Sequence, residues 1–388
     1  MAILILSTNI PPQVSGAGVR ALRTVKEIAK SRDVKLITRT KNKNLSFPHI
    51  SILPINQKRG LLNDILRNII NISFLPIKVL SKIRKIEKPE LIHSFSASWL
   101  AIYIFLYNRF FWKVPFVIEI TLLGSDTPGS KRKWWLFRWL SDYCLEKADK
   151  IICISPLLLE YMKSIGFASQ KLVLIPNSVD SKFTPVKESI KNELKESCGI
   201  SKDTFTIVTV GGLSKRKGYP LIVDIVRALP ESLDFKVISV GNYNSDYQRE
   251  LKDEFLKKLA KDGKADKMIF LGYQDPLPYL QMSDIFLFAS NREGFGTAVI
   301  EAMACGLTVI CRKIDKITDY IIPSEQVGFI VDSDNPDNYK NKIEELMCNI
   351  ALRRKIGENA RLHIIEHFSL DKIAKKYHQL YDELVSKA

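Results

Sequence analysis

Short apolar runs alternate with amphipathic stretches along the whole chain, and this rhythm constrains the fold more than any other feature. The runs ILILST, VKLITRT, ISILPI, ELIHSFS, PFVIEIT, KIICIS and LVLIPN fill the first half, separated by stretches such as AGVRALRTVKEIAKS (17–31). Runs that are apolar on both faces belong to parallel sheets. Strands and helices in alternation give a doubly wound α/β domain. After Asn177 the polar stretch SVDSKFTPVKESIK, which contains Pro185, reads as a linker. The rhythm then restarts with TFTIVTVGG, FKVISVG, KMIFLGY, DIFLFAS, LTVICRK and GFIVD. A chain of 388 residues is also too long for one ordinary domain. The expectation is two Rossmann-like α/β domains, residues 1–182 and 183–366, followed by a terminal helix over 367–388. The last fifty residues read as helical, with breaks at Gly357 and at the HFS of 367–369.

Charge is unevenly spread. Residues 1–180 hold 27 Lys+Arg against 12 Asp+Glu, whereas residues 181–388 hold 31 against 30. Either the first half has a solvated lysine-rich surface or it faces something anionic, nucleic acid or a membrane. No nucleic-acid module is recognisable, so nucleic acid is not an expected partner. The six cysteines (144, 153, 198, 305, 311, 348) include no C-x-x-C pair, which points to a reducing, cytoplasmic setting. The opening MAILILSTN reads as a first strand, not a signal peptide. The apolar stretch nearest to a membrane span, ASWLAIYIFLYN (97–108), stops at Arg109 after 12 residues and is too short to cross.

Two loops carry the chemistry. VGGLSKRKG (210–218) is a Gly-rich turn between a strand and a helix, with Lys215, Arg216 and Lys217 together. Backbone N–H groups and a positive helix end suit an anion such as a diphosphate; a plain turn with a basic cap has the same pattern. NREGFGTAVIEAMACG (291–306) follows the strand DIFLFAS, with a helix expected from Thr297 to Gly306. Ligands of open α/β sheets bind outside the carboxyl ends of the strands. Gly294 and Gly296 allow close approach of a ligand to the backbone. Glu293 and Glu301 are then a catalytic pair, two grips on one ligand, or ordinary helix-start carboxylates.

The E-x7-E spacing followed by AMACG resembles the signature of retaining glycosyltransferases of family 4, which have the GT-B fold. STNIPPQVSGAGVRAL resembles their N-terminal glycine loop, and KPELIHSFSA their KPDVIHAH strand. VGGLSKRKG resembles VGRLxxxKG, and the stretch IFLGYQDPLPYLQMSDIFLFASNREGFG also matches. The terminal ENARLHIIEHFSLDKIAKKYHQLYDEL is similar to the helix that crosses back to the first domain. The resemblance covers nearly the whole chain. It implies two Rossmann-like domains facing a central cleft and a nucleotide-sugar donor held mainly by the second.

On matching positions, the resemblance implies that Glu293 bonds hydroxyls of the donor sugar and Glu301 the ribose. Backbone groups of Gly294, Phe295, Gly296 and Thr297 meet the sugar and diphosphate. Lys217, helped by Arg216, neutralises the diphosphate as it leaves. Gly16 and Gly18 close on it, and the base lies near Tyr273 and Gln274. It implies no divalent metal and no cofactor, since the nucleotide sugar is a substrate. Two positions depart from the pattern. Gly212 stands where the family has Arg, with Arg216 nearby, and Thr121 stands where many members have His, with Glu119 before it and Asp126 close by. Thr121, Asp126 and His93 are the acceptor-side candidates, His93 reading more readily as a core or hinge residue than as a catalytic one.

KRKWWLFRWL (131–140) brings Lys131, Arg132, Lys133 and Arg138 together with Trp134, Trp135 and Trp139. A core-packed helix is one reading. The other is peripheral contact with an anionic membrane, since Trp favours the interface and Lys/Arg the headgroups. Residues 61–85 form a second basic amphipathic segment. The sequence therefore leads to a retaining hexosyltransferase on the inner membrane face. Its donor is a UDP- or GDP-sugar, its acceptor a glycan or lipid-linked glycan, and its setting surface polysaccharide or glycolipid synthesis. A nucleotide-sugar epimerase or hydrolase of the same fold, and a non-catalytic nucleotide-sugar-binding partner, are the alternatives.

Overall fold

The structure is a computed structural model that describes residues 2–8, 10–11, 16–40, 45, 47–51, 75–129 and 135–387. The chain forms two compact units, residues 1–178 with 370–388, and residues 179–369. These limits lie four residues before and three residues after the positions 182 and 366 read from the sequence.

The first unit is built on a parallel sheet of strands β1 (Ile3–Ser7), β2 (Val34–Thr38), β3 (His49–Ser51), β4 (Leu91–Ser94), β5 (Phe116–Ile120), β6 (Lys150–Cys153) and β7 (Leu172–Leu174). Their order is β3-β2-β1-β4-β5-β6-β7. Every residue of β1 and β5 is buried, as strands covered on both faces must be. Helix Gly16–Ile28 follows β1. Helix Leu370–Val385, from the end of the chain, packs beside it and contributes buried Ile373, Tyr377, Leu380 and Tyr381 to the same core. Of the amphipathic segment 61–85, only helix Leu75–Ile83 and the turn after it are described.

The second unit repeats the plan with β8 (Phe205–Val210), β9 (Phe235–Val240), β10 (Met268–Gly272), β11 (Ile285–Phe288), β12 (Thr308–Arg312) and β13 (Phe329–Val331), in the order β10-β9-β8-β11-β12-β13. Counted within the unit this is 3-2-1-4-5-6, the doubly wound dinucleotide-fold order, whose direction reverses between its first and fourth strands. Here those are β8 and β11. They pair over two positions only, Ile207 with Ile285 and Val208 with Phe286. Pairing ends before either strand does, so the loops leaving Val210 and Phe288 flank a crevice.

Two expectations are corrected. Residues 178–191 are not linker throughout, because helix Glu188–Ser197 begins inside them. Lys191 and Lys195 fasten that helix to the buried Asp284 at 2.7 and 3.2 Å. Burial opposes ionisation of Asp284, but these two lysines and Thr206 hold its carboxyl down to about 2. Gly357 is not a break either; it lies inside helix Ile350–Phe368. A β-carbon there would lie 2.1 Å from the Gly306 carbonyl oxygen, so glycine lets the helix pass close to that turn. The helical stretch breaks instead around Asn349, which caps the helix through Leu352 N, while the break expected at the HFS of 367–369 falls at Ser369.

Candidate active site

In the second unit the crevice is framed by residues 211–218 after β8 and 289–296 after β11. The first loop is wedged between backbones. Gly211 N donates to Val240 O at 2.9 Å and Leu213 N to Asn242 O at 3.0 Å. A β-carbon at Gly241 would lie 2.0 Å from Gly211 O. The Gln248 amide supports the loop from below, donating to Leu213 O and Asn242 O at 3.0 Å each. Ser214 caps a 3-10 turn, Lys215–Lys217, through Lys217 N. Gly218 ends it with φ 75, a conformation open to glycine, and helix Tyr219–Ala228 follows.

The second loop carries Glu293 and runs into helix Thr297–Ala304, whose cap, Gly296, has φ 102. Phe295 is buried and packs against Phe368 at 5.7 Å between ring centres, so its side chain anchors the loop and only its backbone borders the crevice. Glu301 lies one turn inside the helix and is buried. Tyr273 and Gln274 follow the end of β10 and are exposed at the same edge of the sheet.

The two loops are stitched together. Asn291 N donates to Arg216 O at 3.0 Å, and Arg216 Nη1 donates to Arg292 O at 2.7 Å. Lys217 Nζ lies 2.6 Å from Glu293 Oε1, and Arg216 Nη1 lies 3.3 Å from Glu293 Oε2. Both oxygens of Glu293 thus face a cation. Gly212 takes no part in these contacts. A β-carbon there would find its nearest atom, Asn242 O, at 3.5 Å, an ordinary contact, so the missing arginine is not excluded by space.

In the first unit a charged cluster lies deep at the carboxyl ends of β4 and β5. Arg20, on the helix after β1, pairs with Glu119 of β5, and both are buried. Tyr377 Oη donates to Glu119 Oε2 at 3.1 Å. His93 Nδ1 and Tyr381 Oη share a hydrogen bond of 2.6 Å, while His93 Nε2 is 3.8 Å from Glu119 Oε2. Burial first, then the Arg20 charge, lowers the His93 pKa to about 3, so the ring is neutral. His93 is therefore enclosed, as a core or hinge residue is, and lines no surface. Thr121 and Asp126 bond to each other: Thr121 N donates to Asp126 Oδ2 at 3.0 Å, and the Thr121 hydroxyl meets the same oxygen. Gly16 opens helix Gly16–Ile28, and Gly18 is buried in its first turn. Sequence reasoning missed Arg20, Tyr377 and Tyr381 as one cluster. Tyr377 and Tyr381 stand four apart on a helix, which puts them on one face, but nothing local says what that face meets.

Residues 14–183 match the family described as Glycosyltransferase Family 4, and residues 190–363 match Glycosyl transferases group 1. The chain belongs to the GT-B glycosyltransferases.

Similar to this glycosyltransferase is UDP-Gal:alpha-D-GlcNAc-diphosphoundecaprenol alpha-1,3-galactosyltransferase of Escherichia coli, 27% identical over 70% of each chain. So is N-acetyl-alpha-D-glucosaminyl L-malate synthase of Bacillus anthracis, 25% identical over 69% of this chain and 66% of that one. The glycosyltransferase thus spans about two thirds of the length of these relatives. In fold it is similar to Anabaena HepE, solved with UDP and glucose, at TM-score 0.81 and 18% identity over 98% of this chain and 99% of that one. Sucrose-phosphate synthase from Thermosynechococcus elongatus gives TM-score 0.81 at 20% identity over the full length of both.

Elsewhere on this glycosyltransferase, aromatic side chains stand in the open. Helix Trp99–Tyr107 runs into a π-helical turn, Asn108–Trp112, closed by Lys113 with φ 52. Asn108 pins the turn, donating to Val114 O at 2.8 Å and accepting from Val114 N at 3.1 Å. Phe110 and Phe111 are 71% and 67% exposed between exposed Arg109 and Lys113. Trp135 and Trp139 of helix Trp135–Lys147 are also exposed, as is Arg138. Lys131, Arg132, Lys133 and Trp134 lie outside the described residues. No helix among the described residues is long and apolar enough to cross a membrane.

Proposed function

We propose that this glycosyltransferase moves a hexose from a UDP- or GDP-sugar to a glycan or lipid-linked acceptor, with retention of anomeric configuration and without a divalent metal. The observation that carries the reading is the meeting of Lys217 and Arg216 with Glu293 at the strand-order reversal of the second unit. The N-terminus of helix Thr297–Ala304 opens beside them. Cleaving the bond between anomeric carbon and phosphate oxygen puts negative charge on the leaving diphosphate. Fixed cations and helix-end N–H groups stabilise that charge. Glu293 takes the sugar hydroxyls, Glu301 the ribose, and the backbone of residues 294–297 the phosphates. Tyr273 and Gln274 border the base. In the retaining route the leaving phosphate accepts the acceptor's proton on the face it has just left.

The similar Escherichia coli protein is named for a UDP-Gal donor and a diphosphoundecaprenol-linked acceptor, and HepE was solved with UDP and glucose; both support the same substrate classes here. Exposed Phe110, Phe111, Trp135 and Trp139, with the basic excess of residues 1–180, support peripheral contact with an anionic inner membrane face. Thr121 and Asp126 are the acceptor-side candidates that remain near a loop.

Donor turnover with and without an acceptor extract tests the reading. Nucleoside diphosphate release that depends on the acceptor, and persists in EDTA, is expected. Turnover without an acceptor indicates an epimerase or hydrolase, and binding without release indicates a non-catalytic partner.

A further inference from the structure

Glu293 holds two cations of the crevice, Lys217 and Arg216, and we propose that it is an internal counter-anion that discriminates donor from spent product. It yields Lys217 and Arg216 to the diphosphate of an incoming nucleotide sugar and reclaims them to expel the nucleoside diphosphate left after transfer. The inference rests on the donor reading above, which assigns the two cations to the diphosphate.

The geometry is that of an occupied anion site. Lys217 Nζ faces Oε1 at 2.6 Å and Arg216 Nη1 faces Oε2 at 3.3 Å. Among the described residues, Glu293 is the carboxylate paired with either cation. The Arg216 guanidinium is also tied to Arg292 O at 2.7 Å, so it stays at the crevice whichever anion it serves. The Lys217 stem lies against Gly211, where a β-carbon would sit 3.2 Å from both Cδ and Cε. The stem is thus packed in place, and the ammonium is the part that exchanges partners. Side-chain exposures of 12% for Glu293 and 21% for Lys217 leave this pair poorly screened by water.

Charge then gives the direction. In a nucleotide sugar the terminal phosphate is an ester, and the sugar stands between it and solvent with hydroxyls that a carboxylate accepts. After transfer the terminal phosphate is free and carries one more ionisable oxygen. Two cations alone would hold this product more tightly than the donor, because charge-assisted bonds strengthen with the anion's charge. A carboxylate at 293 bonds the donor's hydroxyls but repels the product's phosphate. It therefore favours donor over product at one position, and it leaves the cations neutralised once the product has gone.

The test is isothermal titration of UDP and GDP into the parent chain and into Glu293→Gln, Glu293→Asp, Lys217→Ala and Glu301→Ala. The amide keeps the size of Glu293 and one acceptor oxygen but not its charge. The bare nucleoside diphosphate that binds the parent is expected to bind Glu293→Gln about tenfold tighter and to leave it correspondingly more slowly. Glu293→Asp, which keeps the charge, should stay within about twofold of the parent. Binding to Glu293→Gln no tighter than to the parent overturns the inference, as does equal tightening by Glu293→Asp. Lys217→Ala and Glu301→Ala separate the two levels of the argument. If both weaken binding while Glu293→Gln fails to tighten it, only the counter-anion role fails. If neither weakens it, or no chain binds either nucleotide, the donor reading fails and this inference with it.

Discussion

Gly218 stands so close to Ala289 that a β-carbon on it would lie 1.8 Å from the Ala289 carbonyl oxygen. One residue thus brings the loop after β8 against the end of β11, and it does so with a positive φ of 75. Lys217 and Glu293 meet because these two backbones meet.

Gly218→Ala is therefore expected to cost about 2 kcal/mol or more, from left-handed strain and from forced separation of the two loops. Urea unfolding measures the loss, and nucleotide-induced stabilisation should disappear with it. A parent-like midpoint with parent-like nucleotide binding would show that the contact is not needed.

Gly212→Arg probes the departure from the family's pattern. The nearest atom to a β-carbon there is 3.5 Å away, so the first side-chain atom meets no clash. Unfolding should be unchanged within about 0.5 kcal/mol, and nucleoside diphosphate affinity should rise about tenfold by one charge-assisted contact. No gain in titration would mean that Arg216 and Lys217 already saturate the phosphates.

His93 gives the first unit a pH dependence whose sign is fixed. Its folded pKa, about 3, lies below the unfolded value near 6.5. A depressed histidine contributes stability that is full above the unfolded pKa and is lost as pH falls from about 6.5 toward the folded value. Between pH 6.5 and 5 the parent should lose about 2 kcal/mol through this group. The groups around the ring, Arg20, Glu119, Tyr377 and Tyr381, do not reverse this, since Arg20 is a further reason for the ring to stay neutral. Denaturant melts across that range should show a shallower slope for His93→Gln. Equal slopes would contradict the assignment.

Phe110 and Phe111 give the membrane reading a direct test. The double change Phe110→Ser with Phe111→Ser should lower flotation with anionic liposomes about tenfold while leaving the melting temperature in place. Unchanged flotation at low salt would move the contact elsewhere.

What was legible in the sequence follows the physics of each feature. Strands buried on both faces announce themselves by composition, and β1, β2 and β4 to β13 each lie within an apolar run read as a strand, while β3 begins one residue before its run. Loop residues whose identity is fixed by backbone geometry, Gly218 and Gly296, were legible for the same reason. Contacts between distant segments were not. The Lys217–Glu293 pair spans 76 residues, Arg20–Glu119 spans 99 and Tyr377–Glu119 spans 258, and no local pattern encodes such partners. Gly357 misled for a related reason. A glycine in a helical stretch signals either a break or a close approach, and only the position of Gly306 O decides between them.

The central claim is that the second unit holds a nucleotide sugar with Glu301 on the ribose. Titrating UDP and GDP into the parent and into Glu301→Ala tests it most directly. The account predicts that the nucleotide bound by the parent binds Glu301→Ala at least about tenfold more weakly, with the fold intact by circular dichroism. Equal affinity for parent and variant would contradict it.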